Sequence, residues 1–370
     1  MKKILFLIPN LSVGGAEKVL VNLVNNMNKE KFDITVQVLF AGGVNEKFLK
    51  PHIKYKYCYK KIFRGNSKYF CLFKPETLYK RFIKEHYDII VSYLEGPTAR
   101  IVSGCNDKDT KLVSWIHCRM SNEKEAMVGF RNFEEAKKCY NKFDYTACVS
   151  KMTMDYFTDT FDFKKPIEVL YNTNETDDIC RLANDEENTQ MMSGDETNIC
   201  VVGKVHIRKG CDRICHIQKR LKSDGFNTHI YFLGVGPDEN FVKDFAKENG
   251  LENSITLLGY QTNPYKYVKK CDLFVCASLA EGFSTATTES LIVGTPVVTT
   301  LCSGMQEMLG YSNEYGIVTE NNEDALYDGI KKILTEKGLL EHYAKQAKVR
   351  GQRFSTEKTV KAVEDMLESL

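Results

Sequence analysis

Glu281 and Glu289 stand eight residues apart in "SLAEGFSTATTESLIVGTPVV" (278–298), on either side of a loop of small and hydroxyl-bearing residues. Upstream, "VVGKVHIRKGCDR" (201–213) brings Lys204, Arg208 and Lys209 into one short turn. Two acids in an apolar setting can be a surface accident, a metal site, a hydrolytic pair, or acceptors for the hydroxyls of a ligand. Three cations where a strand passes into a helix suit a diphosphate, because helix N–H groups already favour anions there; a solvated basic turn is the other reading. The stretch lacks G-x-x-x-x-G-K-[ST], which argues against a nucleotide hydrolase.

Two further turns carry candidates. "PNLSVGGAEK" (9–18) places Gly14 and Gly15 between a first strand and its helix, where missing side chains let backbone N–H groups approach an anion. It is not G-x-G-x-x-G, so nicotinamide binding lacks its fingerprint, and a plain tight turn fits as well. "SWIHCRM" (114–120) ends a strand on His117 beside the only tryptophan, and structural and functional readings of that histidine stand side by side.

The elements that must position these residues follow from periodicity. "KILFLI", "FDITVQVLF", "YDIIVSYL", "KLVSWIH" and "DYTACVS" read as strands in the first half. "NICVVGKV", "THIYFLG", "SITLLGY", "DLFVCAS" and "TPVVTT" do so in the second. Helical patterns separate them, as with Val19, Leu20, Leu23, Val24 and Met27 on one face. Short apolar runs alternating with helices predict an α/β fold with two Rossmann-like, doubly wound parallel sheets. In such sheets ligands bind beyond the carboxyl ends of strands, where all four turns lie. Ser284 or Thr285 can cap a helix closed by Gly294 with Pro296 beyond. Its N-terminus, close to both acids, disfavours a metal, and carboxylates accepting hydrogen bonds from sugar hydroxyls fit better.

The 370 residues exceed what one core usually serves. The expected division is an N-terminal domain over 1–172, an acidic polar linker over 173–196, a C-terminal domain over 197–350, and a terminal helix within 351–370 that could return to the first domain. The linker rests on 175–196, with eight acids, one base and no sustained period. No run approaches the roughly 20 apolar residues of a membrane span. The apolar start reads as a buried strand rather than a signal peptide. Thirteen scattered cysteines without C-x-x-C indicate a reduced, cytoplasmic chain. Cys211, Cys215, His216 and His206 read as buried thiols and neighbours rather than a zinc site. The D-x-D at 107–109 reads as a solvated loop.

"EGFSTATTE" (281–289) resembles the E-x7-E motif of the retaining, family-4 glycosyltransferases of the GT-B fold. "GGAE", "WIH", "VSK", "VLYNTNE", "VGKVHIRKG" and "GYQTN" follow the same family in order, across essentially the whole chain. The resemblance implies two domains facing a central cleft, the first taking the acceptor and the second a nucleotide sugar. It implies that Lys204 and Lys209 neutralise the donor diphosphate, assisted by backbone N–H groups around Gly282, Phe283, Ser284 and Thr285. Glu289 would hold ribose hydroxyls, and Glu281 would lie near the donor sugar. His117 would contact the sugar, Gly15 would let backbone approach a phosphate, and backbone around Gly259 and Tyr260 would meet the base. The family often has arginine where Lys204 stands. Lysine is a point charge rather than a bidentate fork, so Arg208 is a candidate for a shared role.

The expected activity is therefore hexosyl transfer, with a UDP-sugar favoured as donor. The acceptor would be a saccharide, lipid-linked, in surface polysaccharide assembly, with no metal or other cofactor required. An epimerase on the same fold and a non-catalytic nucleotide-sugar-binding subunit are the alternatives. Residues 50–84 hold eleven Lys or Arg, one acid and nine aromatics. That composition suits either an ordinary basic surface over core aromatics or an anionic membrane on the inner face. No nucleic-acid partner is expected.

Overall fold

The computed structural model describes every residue except Val13, Glu186, Asn188, Gln190, Met191 and Ser193. It divides into two compact units, Met1–Asn174 with Thr356–Leu370, and Glu175–Ser355.

The first unit is a seven-stranded sheet in the order β3-β2-β1-β4-β5-β6-β7, every pairing parallel. Its strands are β1 (Lys2–Ile8), β2 (Phe32–Phe40), β3 (Lys54–Tyr59), β4 (Ile89–Ser92), β5 (Lys111–Ile116), β6 (Tyr145–Cys148) and β7 (Ile167–Val169). Ile4 to Ile8 are fully buried on both faces, as a central parallel strand requires. The predicted amphipathic helix forms as Gly15–Asn26. The terminal helix, Thr356–Ser369, belongs to this unit and buries Val360, Val363, Met366 and Leu367. Lys2 Nζ donates to the Leu367 carbonyl at 2.9 Å, and Asn28 N–H donates to Glu364 at 2.6 Å.

The second unit is a six-stranded parallel sheet, β10-β9-β8-β11-β12-β13. Its strands are β8 (Thr197–Val202), β9 (Thr228–Leu233), β10 (Ile255–Gly259), β11 (Leu273–Cys276), β12 (Val297–Thr300) and β13 (Ile317–Thr319). In each sheet the order reverses once, at β1/β4 and at β8/β11. Such a switch point splays the flanking loops and opens a crevice at the carboxyl edge.

Three strands escape the apolar-run criterion. β7 and β13 are three residues long, and β3 ("KYKYCY") alternates lysine with aromatic residues because it is an edge strand. Residues 54–59 of the basic-aromatic stretch are thus an edge strand. The acidic segment also departs from a plain linker: Thr176–Ala183 forms a helix that buries Ile179 and Ala183. A spacing of four residues, Ile179 to Ala183, is one helical turn, a signal masked by the surrounding acids. The part of the linker expectation that falls on 186, 188, 190, 191 and 193 lies outside the described residues.

Candidate active site

Of the predicted donor residues of the second unit, Arg208, Lys209 and Glu281 meet at its switch point, beside Lys204. β8 ends at Val202, and the chain passes through Lys204 into a short 3-10 turn, Ile207–Lys209, before the helix Cys211–Ser223. Asp238 accepts from the Ile207 N–H at 2.8 Å, and His206 Nδ1 accepts from the Arg208 N–H at 3.2 Å. These bonds fix the turn's backbone and leave its cations outward. Lys204 and Arg208 are exposed, with no ion-pair partner among the described residues. Gly210 joins turn to helix at φ +76°, and a Cβ there would overlap the Ala277 carbonyl. The glycine therefore lets the basic turn lie directly against the end of β11.

Lys209 alone of the three is paired. Its Nζ donates to Glu281 Oε1 at 2.6 Å, and Ser278 Oγ donates to the same oxygen at 2.6 Å. The Leu279 N–H donates to the Arg208 carbonyl at 3.1 Å, which ties the loops together by backbone as well. The resemblance implies phosphate for Lys209 and the donor sugar for Glu281; the structure joins the two side chains directly.

Ser284 caps the predicted helix, which runs Thr285–Val293. Its Oγ accepts from the Thr287 N–H at 3.2 Å, and Gly294 closes the helix at φ +86°. Glu289 is buried, and Tyr265 Oη donates to it at 3.3 Å from the helix Tyr265–Lys270. Phe283 is buried under the loop, Gly282 is half-buried, and Thr285 opens the helix. Gly259 ends β10 at φ +69° and hands on to Tyr260, whose ring is exposed.

Four contributors were not anticipated. Ser278 bonds Glu281, and its own carbonyl accepts from Thr300 Oγ1 (2.8 Å) and Cys302 Sγ (3.1 Å). Asn321 Nδ2 bonds the Leu279 and Leu301 carbonyls, and Arg213 orients that amide from 2.7 Å. Tyr265 is the fourth. Ser278 lies three residues before Glu281 and was legible as a local partner; Asn321 follows β13, a strand too short to be read, so it gave no signal.

In the first unit, Gly15 opens the helix after β1, and His117 follows β5. Burial pushes the His117 imidazole down to about 3, so it is neutral at neutral pH. Its ring centroid lies 4.8 Å from Tyr93 and 6.3 Å from Trp115. Among the described residues, the buried His117 Nε2, Trp115 Nε1 and Tyr93 Oη find no hydrogen-bond partner.

Among the described residues no group of three or more His, Cys, Asp or Glu is arranged to hold a metal. Cys211 and Cys215 are buried, and burial pushes their thiols up to about 11 and 12. His206 and His216 each face a separate carboxylate, Asp238 and Glu323.

Residues 13–178 match the family model described as Glycosyltransferase Family 4, and residues 184–350 match Glycosyl transferases group 1. The chain belongs to the GT-B glycosyltransferases. This glycosyltransferase is 27% identical over 386 residues to a Campylobacter jejuni protein, with all of both chains covered. That relative is named N-acetylgalactosamine-N,N'-diacetylbacillosaminyl-diphospho-undecaprenol 4-alpha-N-acetylgalactosaminyltransferase. Its fold is also that of Anabaena HepE: the UDP complex superposes with a TM-score of 0.78 at 18% identity, and the complex with UDP and glucose with 0.76 at 17%, each over the whole of both chains. Among the described residues no helix of the glycosyltransferase is long and apolar enough to cross a membrane.

Proposed function

We propose that this glycosyltransferase moves a hexose or hexose derivative from a nucleotide diphosphate sugar, UDP-linked, to a hydroxyl of a lipid-linked saccharide, retaining the anomeric configuration. The observation that carries the reading is the switch-point turn: two uncompensated cations, Lys204 and Arg208, stand beside a third, Lys209, oriented by Glu281. Together with N–H groups of Gly282, Phe283, Ser284 and Thr285, they would meet the diphosphate as negative charge develops on it. Glu289 takes the ribose hydroxyls, Glu281 orients Lys209 and faces the donor sugar, and the backbone at Gly259 and Tyr260 meets the base. Gly15 and His117 keep the roles the resemblance implies, a phosphate and a sugar hydroxyl. The HepE complexes contain UDP and the Campylobacter relative's name carries a diphospho-undecaprenol acceptor, which supports both halves of the proposal.

In this scheme the bond from the anomeric carbon to the diphosphate oxygen breaks while the acceptor oxygen bonds that carbon on the same face. The acceptor proton passes to the leaving diphosphate. The cations supply the charge that a divalent metal would otherwise bring.

A panel of nucleotide sugars scored by thermal shift identifies the donor, since a ligand that binds only the folded chain raises Tm. With that donor and a lipid-linked acceptor, nucleotide diphosphate should appear in equal amount with glycoside, and a chelator should leave the rate unchanged. Interconversion of the sugar without acceptor would establish an epimerase instead. Activity lost to chelator and restored by manganese would overturn the metal-free scheme.

A further inference from the structure

The edge strand of the second sheet, β13, is separated from β11 by β12, yet the residue that follows it reaches the loop of Glu281. Asn321 is half-buried, and its Oδ1 accepts from Arg213 Nη1 at 2.7 Å. A guanidinium only donates, so the amide oxygen must face Arg213 and Nδ2 must face away from it. There Nδ2 lies 3.1 Å from both the Leu279 and the Leu301 carbonyls, 3.3 Å from Cys302 Sγ and 3.4 Å from the Ser278 carbonyl. Among the described residues no other donor reaches the Leu279 or the Leu301 carbonyl. One amide therefore joins the chain beyond β11, β12 and β13, and through Arg213 the helix Cys211–Ser223 that follows β8.

These links close into a ring. Lys209 ends the basic turn, and Arg213 stands four residues on, in the first turn of the helix. From Lys209 the ring runs to Glu281 at 2.6 Å, and Ser278 Oγ donates to the same carboxylate oxygen at 2.6 Å. The Leu279 N–H meets the Arg208 carbonyl at 3.1 Å, while the carbonyls of 278 and 279 meet Asn321. Arg213 then returns the ring to the helix it started beside. Lys209 is only half-buried, so packing does not lock its side chain. What holds it is Glu281, and what holds the loop bearing Glu281 includes the Asn321 amide.

We propose that Asn321, oriented by Arg213, is a positioning residue for sugar transfer, setting the 278–281 loop and so the place at which Glu281 presents Lys209 to the diphosphate. The proposal rests on the role given above to Lys209. An amide serving the sheet alone would need to join only the ends of β12 and β13. This one bonds the two carbonyls that lie three and two residues before Glu281. A misplacement of roughly 1 Å, passed on from a residue away from the chemistry, can cost about 10²-fold in rate.

The test compares N321A and N321D with the parent in two assays. In the first, Lys209 is acetylated with acetic anhydride and scored by peptide mass spectrometry, with the exposed Lys204 as internal control. Both variants should raise Lys209 labelling by up to about fivefold, the worth of a half-exposed ion pair. In the second, nucleotide diphosphate release is followed from the UDP-hexose that the thermal-shift panel selects, with a lipid-linked saccharide as acceptor. There kcat should fall roughly tenfold or more with donor KM little changed, because the lost term acts on charge that develops in the transition state. N321D should fall further than N321A, since its carboxylate keeps Arg213 but turns an oxygen toward two carbonyls. In a K209A background the N321A loss should vanish, because both changes act through one contact. R213Q should give a smaller loss of the same kind, and R213K, which keeps a charged donor on Oδ1, should stay near the parent. Neither removes a bond to the loop carbonyls, so this pair decides the matter if N321A does not fold. Unchanged Lys209 labelling overturns the inference alone. Raised labelling with unchanged kcat overturns it together with the role given to Lys209. An equal kcat loss in the parent and K209A backgrounds would make Asn321 a structural residue acting elsewhere, and overturns it too.

Discussion

After β11 and after β5 the chain leaves a buried strand at its carboxyl end and presents candidate polar residues, yet the two places are built in opposite ways. Beyond β11, polar groups satisfy one another before any ligand arrives: Lys209 and Ser278 both donate to Glu281, and Ser284 caps the next helix. Beyond β5, His117 is walled by Tyr93 and Trp115, and all three rings carry a buried polar atom with no partner among the described residues. Each such atom costs about 1–3 kcal/mol. The first place is pre-organised by reciprocal hydrogen bonds and keeps its charge outward. The second is held by packing, which keeps the imidazole neutral and limits it to the hydrogen bond of an uncharged ring.

The largest effect separates structural from chemical polarity. Arg100 is buried in the first unit, with Glu135 accepting two bonds at 3.1 and 2.8 Å and the Phe70 and Phe73 carbonyls accepting the rest. Glu135→Ala would strand the guanidinium, and unfolding in urea should show about 3–5 kcal/mol of lost stability. A loss below about 1 kcal/mol would show that the carbonyls alone satisfy Arg100. Burial pushes the Glu135 carboxyl up, but Arg100 and the Arg131 N–H outweigh it and hold it below its ordinary range. A lowered carboxyl contributes its stability above its unfolded pKa and loses it as pH falls through the folded value, so Glu135→Ala should also flatten the acid limb.

Next comes the basic turn. Lys209→Ala should lower turnover by about 10²–10³-fold with Tm nearly unchanged, the size expected for one donor aimed at developing charge. Near-normal turnover would remove the turn from the reaction and make β5 the better centre. Glu281→Gln keeps an acceptor for Lys209 but drops the charge, and should fall between parent and Lys209→Ala.

How much of this was legible differs between the two places for the same physical reason. Lys204, Arg208, Lys209, Glu281 and Glu289 announce themselves because charge in an apolar context is conspicuous, and Ser284 and Gly294 because capping chemistry is local. The Lys209–Glu281 pair joins residues 72 apart in sequence, so nothing in the spacing shows it. The edge strand β3 hid in lysines and tyrosines, and of its rings Tyr59 packs on the core around Phe70 while Tyr57 stays exposed. At β5 the sequence offers a histidine near a tryptophan; the buried Tyr93 Oη that completes the cluster comes from the loop after β4, another strand altogether.

The imidazole gives a third, smaller effect with a definite sign. His117 titrates near 3 rather than at the ordinary 6.5, so between those values the unfolded chain binds a proton that the folded one does not. Stability therefore rises with pH across that window and is fully present above it. Acidifying from 6.5 to about pH 5 should cost about 2 kcal/mol from this group. His117→Gln should remove that slope while leaving the rest of the acid limb in place. An unaltered slope would mean that the ring is reached by solvent in solution, and the packed-neutral description of β5 would go with it.

The smallest effect tests whether organisation beyond β11 matters to ligand rather than to fold. Ser284→Ala deletes the acceptor of the Thr287 N–H, and loss of such a cap costs about 1 kcal/mol. Ser284→Gly retains the extended backbone at Ser284 and should cost only a few tenths. If the cap merely closes a helix, donor affinity should be the same in both variants, because neither changes a charge. If the cap instead aims the N–H groups of 283–285 at the diphosphate, the donor-induced Tm shift should shrink in both, and more in glycine, whose freer backbone blurs the aim even though its fold is the more stable. That inversion, stability ranking one way and affinity the other, is an outcome a purely structural cap cannot produce.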